Sequence, residues 1–252
     1  MKLPILMGIL NTTPDSFHDG GSYAAPPAAL KRAHDILAQG AEIIDIGGES
    51  TRPGAAPVSV EEEIRRTAPL IKAIRQKFPA AQISIDTYNY ETARAALEAG
   101  ANIINDVSAL KDAGLARLAA RTKGAKLVIM HARGTPKNMQ AMCDYKNILA
   151  EIYEFFEVKI KEAAAAGMAR ENIILDVGLG FAKTSEQNWF LLENLKYFSP
   201  LGLPQLIGAS RKRFTGGSLE LSLKAAEIAS QNGAAILRVH DVIETKKMLE
   251  AL

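Results

Sequence analysis

Cysteine, histidine and tryptophan are scarce in this chain of 252 residues, which contains one, four and one of them respectively. The single Cys143 excludes an internal disulfide framework and a cysteine-based zinc site, and it fits a reducing compartment, so we expect the protein in the cytoplasm. The histidines include no pair at the spacing of zinc ligands. No apolar run approaches the roughly 18 to 20 residues that cross a bilayer, which argues against a membrane role.

An excess of one charge is also absent. The 30 basic and 28 acidic side chains leave a formal net charge of +2, and only the short run 211–213 concentrates positive charge. A protein that coats nucleic acid needs a strongly basic face, so we expect no nucleic-acid partner. The chain has 48% hydrophobic and 23% charged residues and no linker rich in Pro or Ser, which predicts one folded domain over 1–252.

Glycine followed by alanine marks four places where a helical pattern gives way to an apolar run, beginning at Gly40, Gly100, Gly124 and Gly233. Glycine suits the left-handed conformation after the last turn of a helix, and short apolar runs of this kind are typical of strands buried on both faces. All such runs together predict eight strands, near 5–11, 42–48, 82–87, 102–107, 126–131, 173–178, 205–210 and 235–240.

Helical periodicity separates these strands. It is clearest over 59–78, where Ser59 and Glu62 have the spacing of a capping box, and over 145–166. The apolar faces consist of Ile64, Ile71, Ile74 and Phe78 in the first helix and of Ile148, Ile152, Phe155, Phe156 and Ile160 in the second. Strands and helices that alternate in this way over a chain of this length predict an α/β fold, a single (β/α)8 TIM barrel.

A polar residue ends each predicted strand. Strand ends are exposed and hence often polar, which is enough to explain any one of these residues. In a barrel, however, all of them lie at one mouth, where TIM-barrel enzymes carry out their chemistry, so a small-molecule active site is the default hypothesis. The residues are Asn11, Asp45 with Glu49, Asp86, Asn105 with Asp106, His131, Asp176, Ser210 with Lys212, and Arg238 with His240.

Two subsets suggest what such a site could hold. Arg238 and His240 lie two residues apart, on one side of the last strand, where they could bind an anion such as phosphate; a structural salt bridge with Asp241 is the alternative. A carboxylate that faces two N–H groups matches an aminopyrimidinone, and the deeper strand ends offer the inventory for such a heterocycle. They are Asp86, Asn105, Asp176 and Lys212.

Long loops rich in Gly, Pro, Ser and Thr follow the first two strands, at 12–25 and 50–57. Loops of this length and polarity are more often lids or binding loops than spacers, and an ordinary connection is the alternative. Arg52, in the second loop, is the candidate functional residue there.

Seven motifs resemble the signatures of the dihydropteroate synthases, in order and at fitting intervals along nearly the whole chain. They are MGILNTTPDSF at 7–17, GGESTRPG at 47–54, SIDT at 84–87, INDV at 104–107, MHARGTP at 130–136, SRK at 210–212 and RVHDV at 238–242. The resemblance implies a TIM-barrel transferase that condenses 6-hydroxymethyl-7,8-dihydropterin diphosphate with 4-aminobenzoate, giving 7,8-dihydropteroate and diphosphate in folate synthesis.

Matching positions then imply roles for individual residues. The pterin would be held by Asp86, Asn105, Asp176 and Lys212, and the diphosphate by Asn11, Thr51, Arg238 and His240. The cofactor implied is Mg²⁺, which Asn11 would meet. The first two loops would order around the intermediate and place Phe17, Thr51 and Pro53 against 4-aminobenzoate. The candidate catalytic residues are Asp19, Arg52 and Lys212.

The chain departs from the family pattern in three places. Val177 stands where the family usually has Pro, Ala182 stands where it usually has Gly, and the link at 213–218 is short. Family members are typically homodimers through late helices near this link, so we expect a homodimer. Other interpretations are a pterin-dependent methyltransferase domain, which needs no diphosphate site, a catalytically silent paralogue that binds a pterin or a partner, and a sugar-phosphate barrel enzyme.

Overall fold

Eight parallel strands form a closed barrel in the computed structural model, which describes residues 3–12, 27–49, 58–135 and 138–252. Each strand pairs with its neighbours in chain order, and β1 closes the barrel against β8. The TIM barrel predicted from the sequence is therefore confirmed. The strands are β1 Ile5–Asn11, β2 Ile43–Gly47, β3 Gln82–Asp86, β4 Ile103–Asp106, β5 Lys126–Met130, β6 Ile173–Asp176, β7 Gln205–Ile207 and β8 Ile236–Val239.

An α-helix follows each strand. The helices are α1 Pro27–Ala38, α2 Val60–Lys77, α3 Tyr90–Ala99, α4 Ala113–Arg121, α5 Ile148–Ala165, α6 Ser185–Glu193, α7 Leu219–Gln231 and α8 Val242–Glu250. None of the described helices is long and apolar enough to cross a membrane. Both predicted helices with the clearest periodicity, 59–78 and 145–166, correspond to α2 and α5.

The capping box predicted for α2 is only half formed. Ser59 accepts a hydrogen bond from the backbone N–H of Glu62 at 3.3 Å, as expected of an N-cap. The Glu62 side chain pairs instead with Arg65 and Arg66, with Nε–O distances of 2.6 Å to each. Two guanidinium groups one turn away compete for the carboxylate, so the second half of the predicted box was wrong.

The glycines that end α1, α3, α4 and α7 have the predicted left-handed conformation. Their φ angles are 103°, 114°, 74° and 97° at Gly40, Gly100, Gly124 and Gly233. A residue without a Cβ reaches such angles easily, which explains why glycine occurs at all four of these helix-to-strand connections.

The strands separate two apolar regions. The larger lies between the strands and the helices, and the smaller fills the inside of the barrel. The inner cluster consists of Met7, Ile43, Ile103, Val128, Ile174, Leu206 and Ile236, one residue from each of seven strands. Because side chains of a strand alternate between its two faces, the residues two positions further along also point inward, one layer closer to the carboxyl ends.

Candidate functional site

The next inward layer is where the barrel changes from apolar to charged. Two positions beyond the inner cluster lie Asp45 on β2, Asn105 on β4, Asp176 on β6 and Arg238 on β8. On β3, Ser84 lies beside Asp45 in the sheet register, and Asp86 follows at the strand end. Six polar side chains are thereby brought to one mouth by the alternation of five strands.

Arg238 joins two of these carboxylates. Its Nε donates to Asp45 Oδ2 and its second guanidinium nitrogen donates to Asp86 Oδ2, each at 2.6 Å. Burial raises the pKa of Asp86 to about 7; the Arg238 charge opposes this rise, and the Asp45 charge adds to it. The alternative of a structural salt bridge for Arg238 is therefore realised in the structure, with Asp45 and Asp86 as partners. Only the suggested partner was wrong, because Asp241 pairs with Arg211 through two bonds of 2.8 and 2.9 Å.

Hydrogen-bond acceptors at this mouth outnumber their donors. Asn105 donates its amide to Asp45 Oδ2 at 3.3 Å, which leaves the amide oxygen of Asn105 toward the mouth. Within the described part of the chain, four buried side-chain oxygens of β2, β3 and β4 have no hydrogen-bond partner: Asp45 Oδ1, Ser84 Oγ, Asp86 Oδ1 and Asn105 Oδ1. Buried acceptors without donors are costly, so the cluster is suited to a ligand that presents several N–H groups.

Lys212 approaches the same mouth from the loop after β7. Its ammonium group donates to the Leu179 carbonyl and lies 4.9 Å from the centre of the Phe181 ring. Burial lowers the pKa of Lys212 to about 8, and the charge of Asp176 opposes this fall. Burial likewise raises the pKa of Asp176, with Lys212 opposing. The two opposite charges therefore stabilise one another across the loops after β6 and β7.

The loop after β6 forms a wall of the mouth and depends on one glycine. Gly178 donates its N–H to Asp176 Oδ1 at 2.7 Å and has a φ of 68°. A Cβ on Gly178 would lie 1.9 Å from the backbone oxygen of His131, so no larger residue fits without moving the loop. This glycine fixes both the Asp176 carboxylate and the start of the wall.

His131 is held inside the fold and is a structural partner of this loop. Lys183 Nζ lies 3.0 Å from His131 Nδ1 and donates at 3.0 Å to the carbonyl oxygens of Gly178 and Phe181. Burial, with a contribution from Lys183, lowers the pKa of His131 to about 2, so its ring is neutral and can accept from the ammonium group. The other face of the ring meets Phe155 edge-on at 4.9 Å.

His240 lies just beyond β8, next to the loop that carries Lys212. Ser210 Oγ is 3.0 Å from His240 Nδ1 and accepts from the His240 backbone N–H at 3.1 Å. The Arg211–Asp241 pair ties the same two loops together, and Arg211 has a left-handed φ of 56°. These contacts hold His240 and Lys212 at neighbouring positions of the mouth.

The remaining predicted site residues divide between the mouth and the undescribed loops. Asn11 is exposed at the end of β1, and a Cβ built on Gly47 would lie 3.7 Å from its side-chain oxygen. Phe17, Asp19, Thr51, Arg52 and Pro53 lie outside the described residues. The described pterin candidates Asp86, Asn105, Asp176 and Lys212 lie together with Arg238, as the strand-end pattern predicts.

The departures from the family pattern do not disturb this arrangement. Ala182 has a φ of 50°, and its carbonyl accepts from the Tyr145 hydroxyl at 3.1 Å. Val177 is buried in the outer core. The short link at 213–218 forms one turn of 3₁₀ helix, and Ser218 then caps α7.

The sequence placed Asp45 at the mouth without assigning it a ligand, and it gave Lys183 no place in the site. The signal for Asp45 was present, because it stands two positions after the inward-facing Ile43 on β2. Lys183 could not be found in this way, since its three acceptors come from a loop and from a strand 52 residues earlier.

Comparison with known proteins places this geometry among one group of enzymes. The family model described as pterin binding enzyme matches residues 7–240. The dihydropteroate synthase of Synechocystis is 46% identical over 96% of this chain and 86% of its own. The Yersinia pestis dihydropteroate synthase, solved with a sulfonamide drug, is 41% identical, with a TM-score of 0.91 over 99% of this chain and 93% of its own. The Xanthomonas albilineans enzyme, solved with 4-aminobenzoic acid, is 39% identical, with a TM-score of 0.88 over 99% and 92%.

Proposed function

This chain belongs to the dihydropteroate synthases, a family of pterin-binding enzymes, and from that premise we propose how its barrel mouth divides the work of the reaction. The enzyme is a transferase that condenses 6-hydroxymethyl-7,8-dihydropterin diphosphate with 4-aminobenzoate and forms 7,8-dihydropteroate and diphosphate. A C–O bond to diphosphate breaks, a C–N bond to the aromatic amine forms, and the amine loses a proton.

The pterin ring occupies the charged layer of the barrel. The observation that carries this assignment is the pair of buried acceptor oxygens, one of Asp86 and one of Asn105, that lack donors in the described part of the chain. A dihydropterin has an amino group and ring N–H groups along its edges, so it supplies the donors that these oxygens lack. Asp176 extends the acceptor set, and the Lys212 ammonium group provides a donor for the pterin carbonyl or ring nitrogen.

The diphosphate lies toward β8 and the loop after β7. Diphosphate is a poor leaving group unless its developing negative charge is neutralised. Arg238 provides positive charge there, and the His240 ring provides a hydrogen-bond donor. Arg238 must then leave Asp86, to which it donates in the free protein at 2.6 Å. The pterin N–H groups replace Arg238 at the Asp86 carboxylate, and the diphosphate binds the Arg238 guanidinium group. The two ends of one substrate thus replace the Asp86–Arg238 ion pair of the free protein.

Mg²⁺ is the metal that the resemblance implies, and the oxygen donors at the mouth fit it. No group of three or more His, Cys, Asp or Glu side chains in the described residues could hold a metal alone. Mg²⁺ is commonly held by one or two protein oxygens together with substrate phosphates and water, and the exposed Asn11 offers one such oxygen. Asn11 and diphosphate would hold the ion, which would supply further charge neutralisation to the leaving group.

The second substrate binds above the pterin. As the resemblance implies, we assign Phe17, Thr51 and Pro53 to the binding of 4-aminobenzoate and Asp19 and Arg52 to catalysis. As diphosphate departs, the pterin methylene becomes cation-like, and the weakly nucleophilic aromatic amine attacks it. Water would compete for the same carbon, so the site must exclude it during the reaction.

The test is release of diphosphate by the purified protein with dihydropterin diphosphate and Mg²⁺, measured with and without 4-aminobenzoate. We expect release that depends on 4-aminobenzoate, with dihydropteroate identified by mass. Methyl transfer, or binding of the pterin without product, would contradict the proposed reaction.

The protein acts as a homodimer in the cytoplasm. Neighbouring helices α6, α7 and α8 each expose a large apolar side chain, namely Phe190, Leu221 and Ile243 at 45%, 36% and 38%. Exposed apolar side chains on three consecutive helices suit an interface with a second copy of the chain. Light scattering at working concentration should give twice the mass of one chain, and a Leu221→Lys variant should shift that value toward the monomer.

A further inference from the structure

One side chain of the charged layer touches two other members of the site with a single oxygen. Asp45 is fully buried, and its Oδ2 accepts from Arg238 at 2.6 Å and from Asn105 at 3.3 Å. Its position on β2 places it between the strands that carry these partners, since β2 is followed by β3 and β4 on one side and by β1 and β8 on the other. Asp45 thus connects opposite sides of the mouth.

A carboxylate can only accept hydrogen bonds, and this restricts its neighbours. The Asn105 amide has a donor end and an acceptor end of nearly equal size, and either could face the ligand. Next to Asp45 only the NH₂ end is favourable, so the oxygen of Asn105 is directed to the mouth, where it has no partner among the described residues. The Asp45 carboxylate therefore determines that Asn105 presents an acceptor, and not a donor, to the ligand.

Arg238 is restricted in the same way. Its Nε is held by Asp45 and another of its nitrogens by Asp86, which fixes the plane of the guanidinium group. When Asp86 is taken over by a ligand, the bond to Asp45 remains to keep Arg238 beside the mouth.

We propose that Asp45 is a positioning residue for pterin binding, which orients the Asn105 amide as an acceptor and anchors Arg238 beside the ring. The proposal rests on the pterin site described under the proposed function. Asp45 acts through its two neighbours. The contact of Asn105 to the ring is the same before and during bond cleavage, and Arg238 is held by the diphosphate once the substrate is bound. Loss of Asp45 therefore weakens binding of the pterin substrate more than it slows the chemical step.

The test uses Asp45→Asn, which keeps the shape of the side chain and removes its charge. We expect the KM for dihydropterin diphosphate to rise on the order of 10 to 100-fold, the range for losing charge-assisted hydrogen bonds. The kcat should change by less than about 3-fold, and the KM for 4-aminobenzoate should stay the same. An unchanged pterin KM with a lower Tm would reduce Asp45 to a structural role and overturn the proposal.

Asp106→Asn is the matched control, because Asp106 is also a buried carboxylate and lies next to Asn105. Its oxygens accept from the backbone N–H groups of Ser108 and Leu110 at 2.7 and 2.8 Å, away from Arg238. This variant should lower the Tm and leave the pterin KM unchanged. An equal rise of KM in both variants would show that the loss of any buried carboxylate on the barrel strands has this effect, and it would contradict a specific role for Asp45.

A second measurement needs no substrate and separates this proposal from the proposed function. The side-chain NH₂ of Asn105, identified in ¹⁵N spectra by its loss in Asn105→Asp, should exchange slowly with solvent in the free protein and at least 10-fold faster in Asp45→Asn. If the wild-type protein makes no dihydropteroate, the proposed function fails while this comparison still decides the role of Asp45. Unchanged exchange of the Asn105 amide in the variant would overturn the proposal.

Discussion

Asp86 combines a function in binding with a cost in stability, and replacing it with Asn should separate the two. The side chain is buried, one of its oxygens has no donor among the described residues, and burial raises its pKa from 3.8 to about 7. At about 1.4 kcal/mol per unit, this shift makes the ionised carboxylate cost on the order of 4 kcal/mol in the folded state. An ion pair with Arg238 reduces this cost without removing it.

The direction of the pKa shift determines how the stability of the protein changes with pH. Between about pH 4 and 7 the folded protein holds a proton on Asp86 that the unfolded chain has released, so this group lowers stability as the pH rises through that window. Above pH 7 the full cost is present. Asp86→Asn removes it and leaves a neutral amide with imperfect partners, which costs about 1 to 3 kcal/mol. The net gain at pH 8 is about 1 to 3 kcal/mol, and it falls to about zero near pH 5.

Urea unfolding and calorimetry of the variant and the wild type at pH 5 and pH 8 measure this difference. In a chain of this size each kcal/mol moves the Tm by about 2 to 4 °C, so the Tm of Asp86→Asn should rise at pH 8. The affinity for dihydropterin diphosphate should fall on the order of 10². Asp35→Asn is the control, because the Asp35 pKa is lowered by hydrogen bonds to Lys31 and His34, and that variant should gain no stability. A loss of stability in Asp86→Asn at pH 8, or a Tm difference equal at both pH values, would refute the reasoning.

Three further variants test other parts of the site. Lys212→Met removes a buried ammonium group at the mouth, and kcat/KM for the pterin substrate in steady-state assays should fall about 10²-fold; a loss below 3-fold would exclude Lys212 from the site. Lys183→Met deletes three hydrogen bonds that hold the loop after β6, so we expect a lower Tm and a higher pterin KM; an unchanged Tm would show that the loop does not need them. Arg52→Ala should lower turnover on the order of 10² to 10³-fold, the usual size for losing a preorganised charge, and near-normal turnover would contradict its assignment.

The fold could be predicted because each of its signals is local. Apolar runs, glycines after helices and helical periodicity are properties of short segments, and they identified all eight strands. The largest error was at β7, which was predicted over 205–210 and ends at Ile207. The chain leaves the extended conformation soon after, and Arg211 with a φ of 56° turns Lys212 toward the mouth. An arginine with a left-handed backbone conformation cannot be recognised from the sequence, whereas a glycine at such a position can.

The site could be predicted as a set of residues and not as a network. Strand alternation brought Asp86, Asn105, Asp176 and Arg238 to one mouth, but which of them touch depends on contacts such as that of Arg238 with Asp86, 152 residues apart. The same limit applies to His131. The sequence analysis grouped His131 with the mouth residues, but its partner in the structure is Lys183. Nothing in the sequence around Lys183 indicates that this charged side chain is buried.

The central claim is that the pterin replaces Arg238 at the buried carboxylates while the diphosphate receives Arg238. A crystal structure of the protein with dihydropterin diphosphate bound tests this most directly. We expect ring N–H groups within hydrogen-bond distance of Asp86, Asn105 and Asp176, and the Arg238 guanidinium group moved from Asp86 to a diphosphate oxygen. A pterin ring bound outside the strand ends, with Arg238 still donating to both Asp45 and Asp86, would contradict it.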